Sequence, residues 1–164
     1  MRASDLLCHD ILTRLIAFDT TSRNSNLEMI AWIQDYLAGF NIATELTYDD
    51  DQRKANLFAT LGPAENSGGI ILSGHTDVVP IDGQDWVTDP FEMTEKDGKL
   101  YGRGTCDMKS FVAVSLAMVP HLLKRGLKVP IHLAFSYDEE VGCIGVRRLI
   151  ERNLGQGIRP AACI

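Results

Sequence analysis

The sequence predicts an α/β fold, a sheet sandwiched between helices, on three observations. Strand-like and helix-like segments alternate through the second half of the chain. Two of the strands, GGIILSG (68–74) and PIHLAFS (130–136), are short continuous apolar runs, the pattern of strands covered on both faces. The helical segments carry their apolar residues on one stripe, as helices layered on a sheet do.

The elements follow in order. Residues 4–18 read as an amphipathic helix, with Leu6, Leu7, Ile11, Leu15, Ile16 and Phe18 near helical spacing. SNLE, Ser25 to Glu28, is a capping-box pattern. It opens a second helix with Leu27, Ile30, Ile33 and Leu37 on its apolar face and Gly39 at its close. NIATELTY (41–48) alternates as a half-buried strand does. Asp49, Asp50 and Asp51 read as a solvated turn, because the EF-hand spacing and its glycine are absent. ANLFATLG (55–62) is the next strand, followed by 68–74. EKDGKLYG (95–102) places an Asp97-Gly98 turn between two short strands. Residues 108–125 form a helix with Gly126 as its C-cap, and Pro120 inside it is expected to kink it. After 130–136 come a helix over 143–153 and a strand at PAACI (160–164).

The chain has 164 residues, enough for one domain with a real core. A net charge of −6 argues against a nucleic-acid partner. The first eighteen residues are interrupted by Asp5, His9, Asp10 and Arg14 and contain no signal-peptide apolar core. No apolar run reaches membrane-spanning length. These features suit a cytoplasmic protein with no membrane partner. Cys8, Cys106, Cys143 and Cys163 form no CxxC pair and are expected to be reduced, mostly buried thiols. The sequence stops inside the apolar run RPAACI, so residues 1–164 are expected to be a piece of a longer protein.

Three successive segments end in unusual polar residues. SGHTDVVP carries His75 and Asp77, GRGTCDMK carries Asp107, and SYDEE carries Asp138, Glu139 and Glu140. The gaps are 32 residues from His75 to Asp107 and 33 from Asp107 to Glu140. If each segment is a strand of the sheet, one edge gathers a histidine and several carboxylates, where open α/β sheets bind ligands. Singly, each has an ordinary explanation: a satisfied histidine, an N-cap aspartate, a solvated Glu-Glu helix start. Together they have the chemistry of a hydrolytic metal site, imidazole and carboxylate oxygens. In an extended chain His75 and Asp77 share one side, so Asp77 can accept a hydrogen bond from the non-ligating ring nitrogen. An aspartate can bridge two ions. Of adjacent Glu139 and Glu140, one can bind metal while the other takes a proton from water.

SGHTDVVP, LYGRGTCDMK and SYDEEVG resemble, in order and spacing, the successive motifs of the M20 family of co-catalytic zinc hydrolases. Within that family DWVTDPFEMTEKDGKLYGRGTCDM (85–108), FDTTSRNSN and RKANLFATLGP are most similar to the acetylornithine deacetylases. The resemblance implies a three-layer α/β/α sandwich of the zinc-peptidase type, truncated at its C-terminal end. It implies two divalent metal ions, Zn2+ with Co2+ as the alternative. His75 would ligate one ion, Asp107 bridge both and Glu140 ligate the second. Glu139 would be the general base and later acid, Asp77 would orient His75, and the Asp107-Met108 peptide would be cis. The implied reaction is hydrolysis of a small N-acylated amino acid, N2-acetyl-L-ornithine, to ornithine and acetate in arginine biosynthesis, by a longer, homodimeric protein. Ser110 departs from the family, which usually has glycine after Met-Lys. Further ligands and a dimerisation domain of the family fall outside residues 1–164, so this piece alone is expected to be inactive.

Other readings are a desuccinylase, aminoacylase or carboxypeptidase of the same family, a metal-binding scaffold on this fold, and a nucleotide-binding domain. GRGTCD fails the dinucleotide fingerprint at Asp107, where a glycine is required. Trp86 and Phe91 are expected to pack in the core rather than line the pocket.

Overall fold

The computed structural model describes residues 7–63, 68–155 and 157–164. The chain runs α1 (Cys8–Ile16), α2 (Leu27–Ala38), β1 (Thr44–Tyr48), β2 (Ala55–Leu61), β3 (Ile70–His75), β4 (Thr94–Lys96), β5 (Lys99–Tyr101), α3 (Lys109–Arg125), β6 (Ile131–Ser136), α4 (Ile144–Gly155) and β7 (Ala162–Cys163). Residues 1–6, part of the expected first helix, lie outside the described residues.

Side chains of β2 point alternately to two sides of the sheet. Leu57, Ala59 and Leu61 enter one apolar cluster and Phe58 another. β6 does the same with Leu133 and Phe135 against Ala134. The larger cluster is filled by α1, α2 and α3 through residues such as Ile11, Leu15, Ile33, Leu37, Val112 and Leu116. The smaller one is closed by Leu149 of α4 and by Ile158. Helices therefore cover both faces, which is the expected three-layer α/β/α sandwich. Burying each large apolar side chain contributes about 1.5–3 kcal/mol, so the α1–α2–α3 face dominates the stability.

The sheet order is β1-β2-β6-β3-β7. β1 and β2 pair antiparallel, β2 and β6 antiparallel, and β6, β3 and β7 are parallel. β3 was expected to be buried on both faces. Ile70 to Ser73 are instead half-buried, because α4 packs chiefly on β1, β2 and β6 and the outer neighbour β7 has two residues.

β4 and β5 correct a second expectation. They form a separate two-stranded hairpin and do not join the main sheet. The Asp97-Gly98 turn is as read: both residues have positive φ, 52° and 69°, as a two-residue type I′ hairpin requires. The segment leading to Asp107 thus reaches the sheet from outside it.

The predicted N-cap of α2, Ser25, is displaced by one residue: Asn26 occupies the cap position. The Asn26 side chain bonds both the N–H and the carbonyl of Ala55, at 2.9 Å each, and so ties the start of α2 to β2. The Ser25 hydroxyl accepts from the Leu27 N–H at 3.2 Å and donates to the Arg53 carbonyl. α3 ends at Gly126 with φ 66°, the left-handed C-cap expected, and its helix continues through Pro120. Lys109 in its first turn is fully buried, and its ammonium donates to the carbonyls of Leu15 and Phe18 at the end of α1. Burial pushes that ammonium down to about 7. Asp49–Asp51 lie in the expected turn, where Asp50 pairs with Arg148 of α4 at 2.7 Å.

The four cysteines are free. They are not mostly buried, however: Cys106, Cys143 and Cys163 are exposed. The first two sit on the loops that carry Asp107 and Glu139, and the third on the edge strand β7. Among the described residues no helix is long and apolar enough to cross a membrane.

Candidate metal centre

The parallel register pairs His75, the last residue of β3, with Ser136, the last of β6. Thr76 extends the pairing beyond the strands: its N–H and its hydroxyl both donate to the Ser136 carbonyl, at 2.8 and 2.9 Å. The segment His75–Asp77 is thereby fixed beside the loop that carries Asp138, Glu139 and Glu140. Gly74 lets the start of α3 approach the same place. A Cβ on it would lie 3.3 Å from Met108 and 3.2 Å from Phe111. Asp107 therefore meets His75 from the hairpin side.

The expected residues converge on a cleft of about 310 Å³ lined by His75, Asp107, Met108, Ser136 and Glu139. His75 Nε2 lies 3.0 Å from Asp107 Oδ1 and 3.8 Å from Glu139 Oε2. One ligand atom each of His75, Glu139 and Glu140 falls within 4.8 Å of the others. Asp107 stands outside that tight trio and joins it through His75. Its carboxylate caps no helix, since Met108 holds the cap position of α3 and no side chain caps it. The Asp107-Met108 peptide is cis. Trp86 and Phe91 line neither this cleft nor the core: Trp86 lies in a loop under the Arg103 guanidinium, 5.2 Å from ring centroid to cation, and Phe91 is half-buried outside both clusters.

His75 is 4% exposed. Its Nδ1 sits 2.9 Å from the Asp77 main-chain carbonyl and 3.5 Å from that residue's carboxylate. A carbonyl can only accept, so Nδ1 carries a proton whether the ring is neutral or charged, and Nε2, which faces Asp107, is the nitrogen whose lone pair becomes free when the ring loses its other proton. Burial works against the imidazolium. The Asp77 carboxylate and carbonyl, with Asp107, outweigh it and lift the ring to about 9. Burial and then the Asp107 carboxylate push Glu140 above the ordinary glutamate value. This donor set fits a divalent cation: an imidazole nitrogen and carboxylate oxygens from three residues are drawn to one place.

The Asp77 carboxylate is itself a hub. It accepts from the Ser22 hydroxyl at 2.6 Å, the Glu139 N–H at 3.0 Å and the Glu140 N–H at 3.2 Å. Burial raises its pKa, but His75 and these donors win and hold it below the usual aspartate value. Sequence reasoning linked Asp77 to His75 and missed its hold on the Glu139–Glu140 main chain. Ser22, Asn56 and Thr76, all buried polar residues, were missed too. The available signal was a polar asparagine inside the apolar run ANLFATL.

Asp77→Asn tests the hub. Whichever way the amide is turned, its NH2 faces a main-chain N–H, of Glu139 on one side or Glu140 on the other. Affinity for a divalent cation, measured by chelator competition, should fall about 10–100-fold. The pH dependence follows from the depressed pKa. The Asp77 carboxylate stabilises the fold fully above the ordinary value of 3.8, and that contribution disappears as pH falls through the lower folded value. Acid titration of unfolding should therefore be flatter in the variant. An unchanged acid limb and unchanged cation affinity would remove Asp77 from this role.

Comparison with known proteins gives the chain a family. The sequence profile described as peptidase family M20/M25/M40 matches residues 71–164. The acetylornithine deacetylase of Myxococcus xanthus is 41% identical over 149 residues, 88% of this chain and 38% of that protein. Human carnosine dipeptidase 1 superposes with a TM-score of 0.78 at 26% identity, over 94% of this chain and 38% of that one. The Bacillus subtilis YxeP protein, described as a dinuclear metal binding peptidase from the M20 family, shares the fold with a TM-score of 0.61 at 21% identity, over 92% of this chain and 41% of that one. The chain spans 36–38% of the length of the curated relatives it matches. With the profile covering more than half of its residues, and the histidine and carboxylates gathered at one end of the sheet, the chain belongs to peptidase family M20/M25/M40.

Proposed function

We propose that residues 1–164 are the N-terminal part of the catalytic domain of a metal-dependent amide hydrolase, an acetylornithine deacetylase acting on N2-acetyl-L-ornithine in the cytoplasm. The observation that carries this reading is the meeting of His75 Nε2 with the Asp107 and Glu139 carboxylates, with a ligand atom of Glu140 within 4.8 Å of those of His75 and Glu139. The name shared by curated relatives at 37–41% identity supports the substrate. In this reading His75, Asp107 and Glu140 would hold two divalent ions, and zinc or cobalt would suit these ligands. Further ligands come from the rest of a longer, dimeric protein.

When bound, the ions supply Lewis acidity at the scissile carbonyl and make water a stronger acid. The remaining work falls to side chains of this chain. Glu139 takes the proton of the attacking water on its carboxylate and later returns it to the departing α-amine. Asp77 keeps the His75 ring in one tautomer through its carbonyl, and fixes the main chain beneath Glu139 and Glu140 through its carboxylate.

The test is a substrate comparison with the full-length protein loaded with zinc or cobalt. N2-acetyl-L-ornithine should exceed N-succinyl-diaminopimelate and longer acyl-amino acids in kcat/KM by about tenfold or more, since a pocket built for one acyl group discriminates by about that factor. Preference for the succinyl substrate would make the protein a desuccinylase. Stoichiometric metal with no hydrolysis of any of them would leave a scaffold.

A further inference from the structure

Lys54 sits immediately before β2, and Asn56 follows two residues on, so the two side chains share one side of an extended chain. Both reach the loop after β6. The Asn56 amide holds its two ends: its oxygen accepts from the Tyr137 N–H at 3.2 Å and its nitrogen donates to the Gly145 carbonyl at 2.8 Å. Lys54 holds the middle. Its ammonium lies 2.5 Å from Asp138 Oδ1 and also donates to the Ser22 carbonyl. Both side chains of this ion pair are only 14% exposed, so it is not a solvent-screened surface pair.

These contacts close a ring. Lys54 binds Asp138. Asp138 is bonded to Glu139, whose N–H binds Asp77. Asp77 accepts from the Ser22 hydroxyl, and the Ser22 carbonyl returns to Lys54. Within the ring Asp138 has φ 54°, a left-handed conformation that L residues adopt at a cost. We propose that Lys54 is a positioning residue for Glu139 and Glu140, closing the ring that fixes where the loop after β6 holds these two carboxylates. This role rests on the metal-dependent hydrolase reading. Without the ammonium, the Asp138 carboxylate is left desolvated and unpaired, and it turns outward to water. The peptide between Asp138 and Glu139 turns with it, and the Glu139 and Glu140 N–H groups leave Asp77. Lys54 touches neither the cleft nor the carboxylates it positions, so it acts through Asp138 and Ser22.

The experiment uses the full-length protein with Lys54→Met, Lys54→Arg and Asp138→Asn, and three readouts. They are kcat and KM for N2-acetyl-L-ornithine per folded, zinc-loaded molecule, zinc affinity by chelator competition, and deuterium uptake across residues 137–143 of the metal-free protein. Lys54→Met should lower kcat about 10–100-fold, as loss of an outer-shell partner does, with KM moving less than about threefold. Zinc affinity should fall about tenfold. Uptake at 137–143 should quicken while β1 and α2 keep wild-type rates. Lys54→Arg, which restores the cation, should recover most of each effect. A Lys54→Met protein with kcat within about twofold of wild type and unchanged uptake at 137–143 would overturn the proposal. So would a loss of activity that only tracks the folded fraction, with uptake raised evenly along the chain. If Lys54→Met does not fold, Asp138→Asn, equal in shape, carries the same expectations and the same refutation. If the wild type hydrolyses none of the acyl-amino acids, the hydrolase reading falls, while zinc affinity and deuterium uptake still decide the role of Lys54.

Discussion

With Glu139 as the proposed general base, Glu139→Gln is expected to lower kcat of the full-length protein about 10²–10⁴-fold, the usual worth of such a group, without loss of bound metal. That range is about 3–5 kcal/mol of transition-state stabilisation. The substitution is close to a single-atom change. The Glu139 N–H still donates to Asp77, so the loop does not move. His75, Asp107 and Glu140 keep every ligand atom. What disappears is a basic oxygen in the cleft, now 3.8 Å from His75 Nε2. An amide cannot accept the proton of the attacking water or return it to the amine, so the loss appears in kcat with little change in KM. Glu140→Gln should behave differently, losing metal together with activity. Metal analysis and single-turnover kinetics on the two variants separate the roles. Metal loss in Glu139→Gln, or turnover within about tenfold of wild type, would move the proton carrier to the other glutamate.

Much of this arrangement was legible in the sequence, for a physical reason. Apolar periodicity reports which side of an element meets the core, so α2, α3, β2 and β6 fell within a residue or two of their places. Residues such as His75 and Asp77 stood out because a charge at the end of an apolar strand must be paired or used. The failures share a different cause. Lys99–Tyr101 looks like a strand and is one, but strand propensity does not say which sheet it joins, and all three residues prove exposed. The clamp around the site was invisible because its partners are distant in the chain. Ser22 is 55 residues from Asp77, and Lys54 is 84 from Asp138. Each of these residues looks ordinary in its own window, a loop serine and a lysine before a strand. Only the fold shows that they meet.

Gly145→Ala should unfold or displace the segment that carries the two glutamates, and it is the substitution expected to cost most in stability. A Cβ at Gly145 would lie 2.3 Å from the Tyr137 carbonyl oxygen and 2.9 Å from Asn56 Oδ1. Neither can give way cheaply. The Tyr137 oxygen is main chain at the end of β6 and accepts the Gly145 N–H at 3.1 Å. Asn56 is fully buried and bonds both the Tyr137 N–H and the Gly145 carbonyl. To make room, the first turn of α4 must lift off β6, breaking these bonds at about 1 kcal/mol each beyond an overpacking cost of about 1–3 kcal/mol. A total of about 4–6 kcal/mol is expected, a large part of the stability of most domains. Gly155, at the other end of the same helix, supplies the contrast. A Cβ there meets nothing within 4 Å, so Gly155→Ala should be neutral or stabilising by up to about 1 kcal/mol through reduced freedom of the unfolded chain. Urea midpoints of the two variants should therefore move in opposite directions, or by very different amounts. Because Gly145 touches the clamp through Asn56, its variant should also lose zinc affinity below the unfolding midpoint, whereas Gly155→Ala should not. Equal, small shifts for both would mean that α4 is free to slide on β6, and that the loop carrying Glu139 and Glu140 is not held from this side.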